Sequence, residues 1–300
     1  MHELQSWEHT AVDGLTLRGW RTPPSGRAVI FFLHGNGLCA LSYWPMLVRL
    51  RDQFDLVLLD APGHGRSDSP GHFRGWEQDA AACAEAWLSL SADYQGVSRH
   101  VVAHSYGGVV STFIMAENPS AFDSAVLLDP VYFPPTMLVM ARIMAVFNLL
   151  KYTKLARMTA KRRDRWPSRE AVHQHLIQKT MYARWELPCF EAYVEHGLRE
   201  CDDGVGVRLR CDRALEAQIF STLPYRLPRA LQRLNTPCII YSGDQSYDFV
   251  VKGLPKYSSA YRLLDHREIS GGHNFMLEKT EFTAGLVRTA LIQEHKAGLR

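Results

Sequence analysis

The sequence predicts an α/β protein built on a doubly wound, mostly parallel sheet, and two observations carry that expectation. Short, continuous apolar runs alternate with segments of helical spacing, the pattern of strands buried on both faces and joined by right-handed crossovers. His34, Asp60, Ser105, Asp129, Asp244 and His273 all fall just past such runs, so the reactive side chains gather beyond the carboxyl ends of the strands, where open α/β sheets place their chemistry. The chain has 300 residues, 46% of them hydrophobic. That is enough for one large core, and a single domain carrying an insertion is the expected organisation.

Taken in order, residues 12–20 alternate like an early antiparallel strand around an Asp13-Gly14 turn. Residues 27–33 form the first buried strand and stop at His34-Gly35-Asn36-Gly37, with a helix expected over 41–51. The next buried strand, 54–59, ends in the loop Asp60-Ala61-Pro62-Gly63-His64-Gly65-Arg66-Ser67-Asp68. Residues 76–90 are alanine-rich with helical spacing. A strand over 99–103 stops abruptly at a serine, two glycines follow, and 109–117 is a helix. Residues 124–128 are a strand ending at Asp129-Pro130. The stretch 131–229 has no strong strand; the last two are expected over 237–241 and 261–268, and the closing helix over 280–295.

Ala103-His104-Ser105-Tyr106-Gly107 has the layout of a nucleophile elbow, a strand-turn-helix in which a strained serine presents its oxygen above the sheet edge. Small residues two before and two after the serine let strand and helix approach. Glycine is usual at both places, and Ala103 departs from it. Taken together, the elbow, His34-Gly35-Asn36-Gly37, the Asp60-x-Pro62-Gly63-x-Gly65-x-Ser67 loop and Gly271-Gly272-His273 resemble the α/β-hydrolase superfamily over residues 10–130 and 230–297. The alanine variant is similar to that of some bacterial lipases. The resemblance implies the α/β-hydrolase fold, with a core domain formed by 1–130 and 230–300 and a helical cap, or lid, formed by 131–229.

A serine hydroxyl is a poor nucleophile until a base removes its proton, and the base needs a third group to fix its tautomer. Ser105 is the expected nucleophile and His273 the expected base, because Gly271-Gly272 lets its loop swing over the sheet edge after the last strand. Among thirteen histidines, His104 sits beside the nucleophile on a strand and points elsewhere, and His34 and His64 belong to loops that the superfamily uses structurally. His173 and His175 are two apart, the wrong spacing for a metal pair on one helix face. For the acid, many relatives place a carboxylate three residues past the glycine that ends the strand beginning near Pro237, but here that residue is Ser246. Asp244 and Asp248 flank it and stay as alternatives. In other relatives, including some haloalkane dehalogenases, the acid ends the strand after the elbow, and Asp129 matches that position. Asp129 is favoured, while Asp244 is expected to hydrogen-bond a turn and Asp60 to serve its loop. Backbone N–H groups of Asn36 and Tyr106 are the expected oxyanion donors.

In the insertion, Met137, Leu138, Met140, Ile143, Met144, Phe147 and Leu150 are apolar around most of a helix, a pattern that fills the cap's own core. The run Lys151, Lys154, Arg157, Lys161, Arg162, Arg163 and Arg165 reads as a solvated helix face, with an anionic substrate or a membrane surface as the alternative. Trp166, Trp185, Phe190 and Tyr193 are candidates to shape the pocket. Asp202-Asp203-Gly204, with Val205, Val207 and Leu209 alternating behind it, reads as a short hairpin.

The formal charge of +3 arises from acids and bases mixed along the chain, so no nucleic-acid partner is called for. Six scattered cysteines without a Cys-x-x-Cys pair favour free buried thiols. No signal-peptide core or bilayer-length apolar run is read, so a cytoplasmic location without membrane contact is expected. The expected activity is metal- and cofactor-free serine hydrolysis of a small-molecule carboxylic ester of moderate to large apolar character, the apolar part being the acyl or the alcohol. A carbon-carbon bond hydrolase or perhydrolase on the same triad is the alternative, as is a catalytically weak ligand-binding relative, which Ala103 and the displaced acid bring to mind. Monomer and homodimer both stay open.

Overall fold

The computed structural model describes residues 4–139 and 153–298. The chain opens as a hairpin in which β1 (Gln5–Thr10) pairs antiparallel with β2 (Thr16–Arg21). The early strand expected over 12–20 is only the second arm of that hairpin. Val12 stands exposed in the turn, where Asp13 accepts from the Leu15 N–H and Gly14 takes φ +85°. β1 left no apolar alternation in the sequence because Trp7 is its one buried side chain.

β3 (Val29–Leu33), β4 (Asp55–Asp60), β5 (Arg99–His104) and β6 (Ser124–Leu128) follow. β3 is buried throughout, and its alternate residues serve two cores. Phe31 meets Trp87 and Phe122 on one face, while Phe32 meets Tyr43 on the other. Both phenylalanines are fully buried, each stabilising the fold by roughly 2 kcal/mol. Helices α1 (Trp76–Leu90) and α2 (Tyr106–Glu117) cover the first face. The helix expected over 41–51 is instead three short turns, two of them 3-10, around Pro45, which supplies no N–H to a helical ladder.

Between β6 and the next strand of the main sheet lie α3 (Lys154–Ala160), β7 (Arg165–Trp166), α4 (Arg169–Leu176), α5 (Leu187–His196), β8 (Leu198–Glu200), β9 (Val207–Leu209) and α6 (Arg213–Phe220). β7, β9 and β8 make a small antiparallel sheet. Val207 and Leu209 of the expected hairpin are buried in β9, whereas Val205 is exposed in the turn. Trp166, Phe190 and Tyr193 are continuous with the second core face, beside Phe275 and Met276. Of the apolar stretch, Met137 and Leu138 are described; Met140, Ile143, Met144, Phe147 and Leu150 lie outside the described residues, as does Lys151.

The chain then returns as β10 (Cys238–Gln245), α7 (Asp248–Ala260), β11 (Leu264–Gly272) and α8 (Thr280–Gly298). The sheet order is β1-β2-β4-β3-β5-β6-β10-β11, antiparallel at β1-β2 and β2-β4 and parallel elsewhere. All six cysteines are buried, and none of them is in a disulfide. Among the described residues, no helix is long and apolar enough to cross a membrane.

Candidate active site

Three strand ends converge on one point. Leaving β5, Ser105 takes φ 54° and ψ −114° and caps α2, which begins at once with Tyr106 rather than at 109. The left-handed backbone is uncommon for a non-glycine residue. It is held by the Ser105 N–H, which donates to Leu128 O at 3.0 Å. The close approach of helix to strand falls on Gly107, where a Cβ would stand 2.6 Å from the carbonyl oxygens of Leu33 and His34. Ala103 meanwhile sits within β5, opposite Leu33 and Leu127, so the methyl group that departs from the usual pattern lies in the sheet and not at the crowded contact.

His273 follows β11 directly. Its Nε2 lies 2.9 Å from Ser105 Oγ and its Nδ1 2.5 Å from Asp129 Oδ2. Asp129 ends β6, fully buried and at φ 47°. Besides His273 it accepts from the Gly243 N–H at 2.8 Å and from the Ser246 hydroxyl. Ser246, which stands where the sequence pattern expects a carboxylate, thus donates to one. Asp244 accepts from the Gly271 N–H at 2.9 Å, bracing the His273 loop, and Asp248 is exposed, 3.5 Å from Lys252. Of the three aspartates, only Asp129 is within reach of His273.

His104 points away from Ser105, but it is not idle. Gly35 N–H donates to Tyr43 Oη at 3.1 Å, that hydroxyl lies 2.6 Å from His104 Nδ1, and His104 Nε2 lies 3.0 Å from the carbonyl oxygen of His273. The chain ties the Gly35 loop to the His273 loop. Burial, aided by His273, holds the His104 pKa well below its usual value, so the ring is neutral. With Nδ1 accepting from Tyr43, Nε2 carries the proton and donates to His273. Sequence reading finds no sign of this link, because its partners lie at residues 43 and 273.

His34 accepts from the Ala61 N–H at 3.0 Å, and Nε2 of His64 lies 3.2 Å from Asn36 Oδ1. Burial lowers their pKa values to about 4 and about 3, so both are neutral braces for the two loops. Asp60 accepts from the Arg66 N–H within its own loop and from the Ala40 N–H in the turns that follow β3. As the first residue of α2, Tyr106 has an N–H without an intrahelical acceptor. Asn36 and Tyr106 both line the cavity above Ser105, and the Asn36 amide donates to Glu216 O at 3.2 Å.

That cavity has a volume of about 760 Å³. Met137, Trp166 and Trp185 line it, whereas Phe190 and Tyr193 are packed into the core away from it. His175 accepts from the Trp166 N–H at 3.0 Å and His173 packs edge-on against Phe190. The basic run is mostly exposed as expected, with one correction. Arg162 turns inward, its Nη2 2.5 Å from Oε2 of the buried Glu216 on α6. Burial works against its charge, but Glu216 together with Tyr193, Tyr182 and Cys211 more than offsets that and holds the guanidinium above its usual range.

An eight-stranded, mostly parallel sheet with a serine elbow at its edge defines a hydrolase of the α/β class. The chain matches the alpha/beta hydrolase family over residues 30–286 and belongs to it. It is similar to monoglyceride lipase from Mus musculus, 26% identical over 275 residues that cover 88% of this chain and 84% of that protein. Among solved structures it is similar to E-2-(acetamidomethylene)succinate hydrolase, with a TM-score of 0.76 at 23% identity over 95% of this chain and 98% of the other. It also resembles an esterase from Mycobacterium tuberculosis, with a TM-score of 0.69 at 20% identity over 96% and 92% of the two chains. At those identities the two structures speak for the fold.

Proposed function

We propose that the protein is a serine hydrolase that cleaves carboxylic esters through an acyl-enzyme intermediate. The observation that carries this reading is the line of contacts from Asp129 through His273 to Ser105, at 2.5 and 2.9 Å. Asp129 holds the proton of His273 on Nδ1, which leaves Nε2 free to accept from Ser105. Ser105 Oγ attacks the ester carbonyl as its proton passes to Nε2, and the N–H groups of Asn36 and Tyr106 receive the negative charge that develops on oxygen. Collapse expels the alcohol, which takes the proton from Nε2. Water then attacks the acyl carbon by the same route, giving its proton to Nε2 and releasing the acid with Ser105 restored. Every proton and electron pair comes from these side chains, water and the substrate.

Residues 131–229 are read as a cap, because the cavity over Ser105 is walled largely by this segment. The names of the relatives, a lipase and an esterase, support an ester as the scissile group. A fluorophosphonate probe tests the reading directly. Labelling that maps to Ser105 and vanishes in Ser105→Ala is expected, together with turnover of nitrophenyl esters; an unlabelled wild-type protein would overturn it.

A further inference from the structure

The cavity over Ser105 is polarised, and one of its ends has no task in the ester cleavage described above. Toward one side stand Phe133, Leu223, Tyr247 and Phe249, with Phe133 stacked on Phe249 at 4.4 Å and Tyr247 on Phe249 at 5.4 Å. Elsewhere the lining includes Arg162, Arg163 and Lys179, while Glu216 is the one lining carboxylate among the described residues. Three cations facing one carboxylate leave an excess of two positive charges along a wall with no other carboxylate, lysine or arginine among the described residues.

The arginines are arranged rather than loose. Arg163 lies over the Trp166 ring at 5.5 Å and donates to Arg165 O at 2.8 Å. Trp166 is itself fixed by its hydrogen bond to His175. Arg162 pairs through Nη2 with Glu216 Oε2 at 2.5 Å and interacts with the Tyr182 hydroxyl, whereas its Nε is buried without a hydrogen-bond partner. A buried guanidinium N–H left unmatched is costly, and an oxygen of a guest carboxylate would satisfy it with a charge-assisted hydrogen bond. Glu216 neutralises one of the positive charges, which suits a singly charged guest better than a doubly charged phosphate.

We infer that the Arg162 end of the cavity is a subsite for a carboxylate, and that the substrate is an amphiphilic ester carrying one carboxylate besides its apolar portion. The inference rests on the ester-cleaving reading and narrows its substrate class. Lys179 and Arg163, both exposed, draw the anion in, and Arg162 receives it beside the loop that carries Asn36.

The test uses matched pairs of esters that differ only in ending with a methyl group or a carboxylate, on the acyl chain in one series and on the alcohol in the other. In one series kcat/KM is expected to favour the carboxylate by about tenfold or more. Arg162→Gln, and separately the double variant Arg163→Gln/Lys179→Gln, should each lower that ratio severalfold. Damage to folding or to the chemistry lowers both members of a pair alike, so the ratio isolates the subsite. Equal turnover within both series, a ratio that neither variant moves, or a stronger preference for a phosphate-ended ester would each overturn the inference. If no ester is cleaved, the esterase reading itself fails. The subsite is then read by calorimetry on Ser105→Ala, where a carboxylate-ended alkyl ketone should bind more tightly than the plain ketone of equal length, and equal affinity refutes it.

Discussion

The two sides of the cavity are held by different forces. On the sheet side, Asp129 takes three hydrogen bonds, from Gly243, Ser246 and His273, and His104 links the loops of Gly35 and His273. On the opposite side, Phe133, Leu138, Leu223 and Tyr225 form a small apolar cluster of their own, and the charged wall leaves buried polar atoms unmatched. Proton transfer demands reacting atoms about 3 Å apart in one orientation, so the groups that perform it need directional bonds to a rigid scaffold. Recognition of an apolar chain is less directional and scales with buried area, so that side can be built from side chains that merely fill space.

The comparison breaks most visibly at the triad. Ser105→Ala is expected to lower kcat by about 10⁴-fold or more, and Asp129→Asn by roughly 10²–10⁴-fold, since the amide turns His273 to the wrong tautomer. Asp244→Asn and Asp248→Asn should cost only a few fold, because one braces a loop and the other lies exposed. Steady-state kinetics of the four variants on one ester decides it. A loss in Asp244→Asn or Asp248→Asn that matches Asp129→Asn would move the acid and dissolve the contrast between the two sides.

Acid should loosen the same sheet side. His34, His64 and His104 are buried with lowered pKa values, to about 4 for His34 and about 3 for His64, whereas in the unfolded chain they charge near 6.5. The unfolded state therefore binds more protons below that pH, and the stability present above 6.5 is lost as pH falls toward the folded values, at ~1.4 kcal/mol per pH unit for each ring. Asp79, pushed up to about 6 by burial despite its hydrogen bond from Tyr106, acts with the opposite sign and regains part of this between pH 6 and 3.8. For these four groups together the loss at pH 5 is on the order of 4 kcal/mol relative to pH 7, and Asp60 and Glu216, both raised by burial, reduce it. Urea midpoints at the two values check it, and an unchanged midpoint contradicts neutral buried rings.

The same contrast explains what the sequence made legible. Strands buried on both faces announce themselves as unbroken apolar runs, and β3, β4, β5 and β6 lie where those runs lie. β1 did not, because one buried tryptophan makes no pattern, and α7 was hidden by Gly253 and Pro255 within it. At the site, the sequence places reactive residues at strand ends but cannot say which of them meet. Ser246 reads only as a missing carboxylate until β10 and β6 lie side by side and its hydroxyl reaches Asp129. Arg162 reads as one cation in a solvated run, since its partner Glu216 is fifty-four residues away on α6.

The smallest expected effect lies on the apolar side. Phe249→Ala and Phe133→Ala remove stacked rings that line the cavity but touch none of Ser105, His273 and Asp129 through a hydrogen bond. If the apolar part of the substrate covers these rings, each deletion removes roughly 1.5–3 kcal/mol of burial. That raises KM for long esters about 10- to 150-fold while kcat changes only a few fold, and it leaves short esters nearly untouched. A chain-length series of nitrophenyl esters on wild type and both variants reads the difference. If kcat falls equally for short and long esters, the rings support the His273 loop through Tyr247, which lies 4.6 Å from the His273 ring, and the division between a bonded side and a space-filling side does not hold at this wall.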